Sequence, residues 1–133
     1  MGSSQRPRVL LADDHPAMLA LTADALAGEC LVVGRVGDGC ELLVEAERLH
    51  PDVIVLDITM PRLDGIEAAR QLRSSHQSAR LVFLTVHEDE AVFRAAKAVG
   101  GLGYVVKSRL ASDLEQAVIA ASEGRAFTSK IRE

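Results

Sequence analysis

Five short apolar runs alternate with stretches of helical period, and this alternation limits what the chain can fold into more than any other feature. The runs are Arg8–Ala12 (RVLLA), Cys30–Val36 (CLVVGRV), Val53–Leu56 (VIVL), Arg80–Leu84 (RLVFL) and Leu102–Val106 (LGYVV). Between them apolar residues recur at three- and four-residue steps, as in Met18, Leu19, Thr22 and Leu26, or Leu42, Leu43, Ala46 and Leu49. Near-continuous apolar strands that alternate with helices predict a parallel sheet covered on both faces, and right-handed crossovers leave few topologies for it. The breakers agree: Pro16 suits a first helical position, Gly28 and Gly100 suit helix ends, and Pro51 stops the segment before it.

With 133 residues, 48% of them apolar, the chain suits one globular domain. The formal net charge is −4, and no block of Lys and Arg appears, which excludes the electrostatic footprint of a nucleic-acid binder. The apolar runs are of strand length and the MGSSQRPR start is polar, so neither a membrane span nor a signal peptide is expected, and the expected location is cytoplasmic. Cys30 and Cys40 lack metal-site spacing and read as free thiols.

The residues just after the runs carry the chemistry. The first run ends in Asp13-Asp14, the third in Asp57, the fourth in Thr85 and the fifth in Lys107. In an open parallel sheet all the carboxyl ends lie on one edge, where ligands bind. Taken singly, each residue has an ordinary explanation: Asp13 and Asp14 as helix caps, Thr85 as a strand former, Lys107 as a surface lysine. Those explanations would have to hold independently at four strand ends.

Three carboxylates crowded together repel one another, and a bound cation relieves them. All-oxygen ligation with no His or Cys placed for zinc favours Mg²⁺, or Mn²⁺ in its place. His15, followed by Pro16, reads as a helix-start residue. Such a cation neutralises phosphoryl oxygens, and a carboxylate can attack phosphorus to give an aspartyl phosphate. Asp57, alone at the end of a central strand, is the natural nucleophile. Lys107 would pair with one phosphoryl oxygen and Thr85 would hydrogen-bond another.

At these residues the chain resembles a response-regulator receiver domain of two-component signalling. The likeness runs from LLADDHP through DITMPRLDG and FLTVHED to GYVVKS. It implies a flavodoxin-like (βα)5 three-layer sandwich with a five-stranded parallel sheet in the order 2-1-3-4-5. It further implies Asp57 as phosphoacceptor, Asp14 as a direct metal ligand, Asp13 acting mainly through water, and the backbone carbonyl of Thr59 as a further ligand. Thr85 and Tyr104 resemble the switch pair and Lys107 the lysine that reads the phosphoryl group. Thr59 and His87, two residues after the phosphoacceptor and two after the switch hydroxyl, fall where the rate of dephosphorylation is tuned.

The details LADDHP, LDITMPRLDGIEAAR and GYVVKS followed by DLEQAV are similar to the NarL/LuxR class, whose receivers usually precede a helix-turn-helix DNA-binding domain. The resemblance implies a sensor histidine kinase as partner, a possible homodimer, and DNA reached only through an output domain not in this chain. Residues 1–7 are then a disordered or expression-derived start, 8–125 the receiver, and 126–133 a tail or the beginning of a linker. A departure from many receivers is Ser108 where they carry proline after the lysine. Two alternatives stay open here: a pseudo-receiver that only binds partners, and an aspartate-nucleophile phosphatase, although the latter's motif wants Asp where Thr59 stands. A flavodoxin-like FMN carrier is disfavoured, because Asp13 and Asp14 would repel the phosphate.

Overall fold

The computed structural model describes residues 6–60, 62–86 and 89–129. Its elements alternate as the sequence predicts: β1 (Arg8–Ala12), α1 (Pro16–Leu26), β2 (Leu31–Val36), α2 (Gly39–Leu49), β3 (Val53–Asp57), α3 (Gly65–Ser74), β4 (Arg80–Thr85), α4 (Glu90–Ala98), β5 (Gly101–Val106) and α5 (Leu110–Ser122). A short 3-10 turn, Lys107–Arg109, joins β5 to α5. The strands are parallel throughout, and β1 lies between β2 and β3.

The expected sheet of five strands is corrected to six, in the order β2-β1-β3-β4-β5-β6. The added strand, β6 (Phe127–Thr128), pairs with β5 through Gly103 and Tyr104. Two residues are too few to show a period of their own. What seats them is burial of Phe127 beside α5 and the hydrogen bond from the Ser129 amide to the Tyr104 carbonyl, 2.8 Å. At the opposite edge the Pro7 carbonyl accepts from the Leu31 amide at 2.9 Å.

Strand alternation sends two sets of side chains to two cores. Leu10, Ile54, Leu56, Leu81 and Phe83 pack against α2, α3 and α4, while Val9, Leu11, Val55, Val82 and Leu84 pack against α1 and α5. Both faces of the central strands are thus dry, which is why they read as unbroken apolar runs. Among the described residues no helix is long and apolar enough to cross a membrane.

The polar punctuation is worked out locally. Asp38, Asp64 and Asp89 cap α2, α3 and α4, each accepting from an amide in the first turn. His50 ends α2 in the left-handed conformation just ahead of Pro51. Gly100, at φ +93°, ends α4 as expected, where an added Cβ would also strike the Arg73 guanidinium. Gly28 does not play that part for α1: the helix stops at Leu26 with Ala27 in right-handed geometry, and Cys30 precedes the strand, its amide bonded to the Leu26 carbonyl.

Candidate functional site

Four strand ends meet at one edge of the sheet. Asp57 is the last residue of β3 and almost fully buried, Asp13 follows β1 and is also buried, Thr85 closes β4, and Lys107 opens the turn after β5. The lysine reaches back over the edge, placing Nζ 3.1 Å from Asp13 Oδ2 and 3.3 Å from Asp57 Oδ2. Its side chain is 12% exposed, so it is no solvated surface lysine. Asp14 is more open to solvent, and its carboxylate joins the others: Asp13, Asp14, His15 and Asp57 each offer a ligand atom, all within 4.8 Å of one another.

The helix-cap reading of Asp13 and Asp14 does not describe α1. His15 holds the cap position without a side-chain cap bond, and Pro16 takes the first helical position. Asp13 Oδ1 instead accepts from the His15 amide at 3.0 Å. The His15 ring is a contribution the sequence reading missed: Nδ1 stands 3.3 Å from Asp13 Oδ1 and 3.1 Å from Asp14 Oδ1. Its adjacency to two acids in the sequence was the available signal.

Electrostatically the site is under tension. Burial, and then the nearby Asp13 carboxylate, push the Asp57 carboxyl above its usual range; Lys107 and the Thr59 amide, 3.3 Å from Asp57 Oδ1, pull the other way. Asp13 Oδ2 is buried with Lys107 beside it, yet receives no well-aligned hydrogen bond. One ammonium between two buried carboxylates, with a third close by, leaves negative charge uncompensated. An oxygen-liganded divalent cation fits that donor set: the three carboxylates converge, and one buried oxygen lacks a hydrogen-bond donor.

The floor of the site is held by a close backbone approach. An added Cβ at Gly65, the first residue of α3, would lie 2.2 Å from the Asp57 carbonyl oxygen, and the Gly65 amide bonds the Ile58 carbonyl at 2.7 Å. Only glycine lets α3 begin so near the end of β3.

Of the remaining residues singled out in the sequence, Thr59 is exposed above Asp57, Thr85 is buried, and His87 lies outside the described residues. Tyr104 is 2% exposed, with its ring edge-on to Phe93 of α4 at 5.0 Å between centroids. The ring is therefore set inward, against the sheet. The reason is Phe93, which offers the ring an apolar partner, while Lys97 covers the Phe93 ring at 5.6 Å. Burial, and then the Asp89 charge, raise the Tyr104 phenol above its ordinary value.

The chain is similar to known proteins in sequence and fold. The family model of the response regulator receiver domain matches residues 9–119. Curated relatives include the transcriptional regulatory protein YxjL of Bacillus subtilis, 37% identical over 90% of this chain and 56% of its own length. The nitrate/nitrite response regulator NarL of Escherichia coli is 35% identical over 96% of this chain and 61% of its own length. The chain thus spans little more than half of these relatives. Among solved structures, a LuxR-family two-component response regulator from Aurantimonas matches with TM-score 0.88 and 32% identity over 92% of this chain and 89% of that one. The non-phosphorylated receiver domain of Escherichia coli RcsB matches with TM-score 0.87 and 27% identity over 95% of this chain and 100% of that one. With its fold, its acidic strand-end cluster and the match over residues 9–119, this chain belongs to the response regulator receiver domain family, and its relatives are of the NarL/LuxR type.

Proposed function

We propose that Asp57 accepts a phosphoryl group from the phosphohistidine of a sensor histidine kinase, and that the charge so gained switches the chain between two conformations that control an output, transcription in the first instance. The observation that carries this reading is the pairing of Lys107 with both buried carboxylates, Asp13 and Asp57, at the carboxyl edge of the sheet.

An Asp57 oxygen attacks phosphorus as the bond to the donor nitrogen breaks, and that electron pair stays on the imidazole. Asp13, Asp14, Asp57 and the Thr59 carbonyl would hold Mg²⁺ or Mn²⁺, which when bound neutralises the phosphoryl oxygens during transfer. Lys107, already beside Asp57, takes up a phosphoryl oxygen, and the Thr85 hydroxyl donates to another; such charge-assisted contacts are each worth about 1.5–3 kcal/mol. Thr59 and His87 tune how water reaches the aspartyl phosphate in hydrolysis. The chain is therefore a switch and not an enzyme that turns over an external substrate.

Movement of Thr85 toward the phosphoryl group is passed to α4, the helix that fully buries only Ala96 in its span. Tyr104 and Phe93 lie between that helix and β5. The receiver of Salmonella RcsB has been solved in the presence of the phosphomimetic BeF3−, and this chain matches it with TM-score 0.86. By likeness to such regulators the partner is a sensor histidine kinase, the chain works in the cytoplasm, the full protein forms a homodimer, and DNA is bound by a helix-turn-helix domain outside residues 1–133. Incubating the chain with acetyl phosphate tests the reading: phosphoryl incorporation should require Mg²⁺ and stop when a chelator is added. Incorporation that is indifferent to the chelator would overturn it.

A further inference from the structure

A second buried carboxylate stands outside the acidic cluster. Asp113, in the first turn of α5, is buried with Ser129, the residue after β6. The Ser129 hydroxyl donates to Asp113 Oδ2 at 2.7 Å. Arg109 donates to the same carboxylate, Nε to Oδ2 at 2.9 Å and Nη2 to Oδ1 at 3.4 Å, and the Ser112 hydroxyl lies 3.0 Å from Oδ1. Burial alone would raise the Asp113 carboxyl; the donors from Arg109, Ser129 and Ser112 outweigh it and hold the group below its ordinary value. A buried charge satisfied from several sides is a rigid point in the fold.

The network closes around Lys107. Val106, the residue before it, donates its amide to Ser129 Oγ at 3.2 Å, where β6 has ended and offers no further paired residue. Arg109, two residues after it, is the donor to Asp113. Both ends of the stretch Val106–Arg109 are thus tied, directly or through Ser129, to one carboxylate. From between these anchors the Lys107 side chain runs to Asp13 and Asp57. A lysine has four rotatable bonds and an ammonium with no preferred fork geometry, so the backbone beneath it decides where the charge rests.

We infer that Asp113 and Ser129 are positioning residues for Lys107: together they clamp the turn that presents its ammonium to the phosphoryl site. The inference rests on the function proposed above. It also ties β6 to that site, because Ser129 reaches Asp113 only when the strand is docked on β5.

The test uses the full chain and its Ser129→Ala and Asp113→Asn variants. Three quantities are read: the rate of phosphoryl uptake from acetyl phosphate, the Mg²⁺ concentration that half-saturates that rate, and acylation of Lys107 by a water-soluble ester, mapped by peptide mass. Ser129→Ala should slow uptake by about tenfold, less than the roughly hundredfold that a 1 Å misplacement of a reacting group can cost, and Asp113→Asn by less. Lys107 acylation should rise in both, with the Mg²⁺ half-saturation unchanged or lower, since Lys107 competes with the metal for the carboxylates. General loosening of the domain would instead weaken Mg²⁺ binding together with uptake, and that result, or unchanged Lys107 acylation in Ser129→Ala, would overturn the clamp. A wild type that takes up no phosphoryl group would overturn the proposed function, whereas the acylation comparison would still decide the clamp.

Discussion

The Lys107 ammonium lies 3.3 Å from the Asp57 carboxylate, with both side chains almost wholly withdrawn from water. A pair this buried is costly to break from one side, because the partner is left as an uncompensated charge, and here two carboxylates share the one cation. Lys107→Ala should therefore lower stability at neutral pH by about 3 kcal/mol. Added Mg²⁺ should restore more stability to this variant than it gives the wild type. Chemical denaturation with and without chelator checks both statements.

The two carboxyls of opposite shift give opposite pH behaviour. Asp113 has a folded pKa below its unfolded value, so its contribution is complete above the unfolded value of about 3.9 and is lost as pH falls through the folded one. Asp57 is raised, so its ionised form opposes folding, and that penalty fades as pH falls through the folded pKa. Asp57→Asn should accordingly melt higher than the wild type at pH 7, with the gap closing on acidification. Asp113→Asn should melt lower at pH 7 and approach the wild type below about pH 4. Thermal melts across that range decide it.

Much of this was legible in the sequence because a parallel sheet dry on both faces leaves continuous apolar runs, and because four of the five runs end in a polar residue at the edge where the site lies. Asp57, Asp13 and Lys107 were found that way, and the structure brings them into contact. Asp113 was not legible, since an acid in the first turn of a helix ordinarily complements its dipole in water, and its burial depends on Ser129, 16 residues away. β6 escaped because two residues show no period of their own and its seat is supplied by β5. The inward setting of Tyr104 depends on the Phe93 ring from another element, which no local pattern encodes.

That aromatic pair is open to direct observation, because Tyr104 is the only tyrosine and there is no tryptophan. Its fluorescence should resist a polar quencher in the wild type. Phe93→Ala should expose the ring to quencher and cost roughly 1 kcal/mol for the lost edge-to-face contact, beyond the area it uncovers. Quenching that is identical in the two proteins would show that Phe93 does not hold the ring.

Gly65 offers a check on the floor of the site. A methyl group there would sit against the Asp57 carbonyl, so Gly65→Ala forces α3 or the end of β3 to move. Overpacking of this kind costs about 1–3 kcal/mol. Phosphoryl uptake should fall with it, whereas alanine at Gly37, where no atom lies within 4 Å of the new Cβ, should leave uptake unchanged. Denaturation and uptake measured side by side test the contrast.

The central claim is that Asp57 is the phosphoacceptor, and intact-mass analysis after treatment with a small phosphoryl donor and Mg²⁺ tests it most directly. The wild type should gain one phosphoryl group and Asp57→Ala none. Labelling that persists in Asp57→Ala would contradict the assignment.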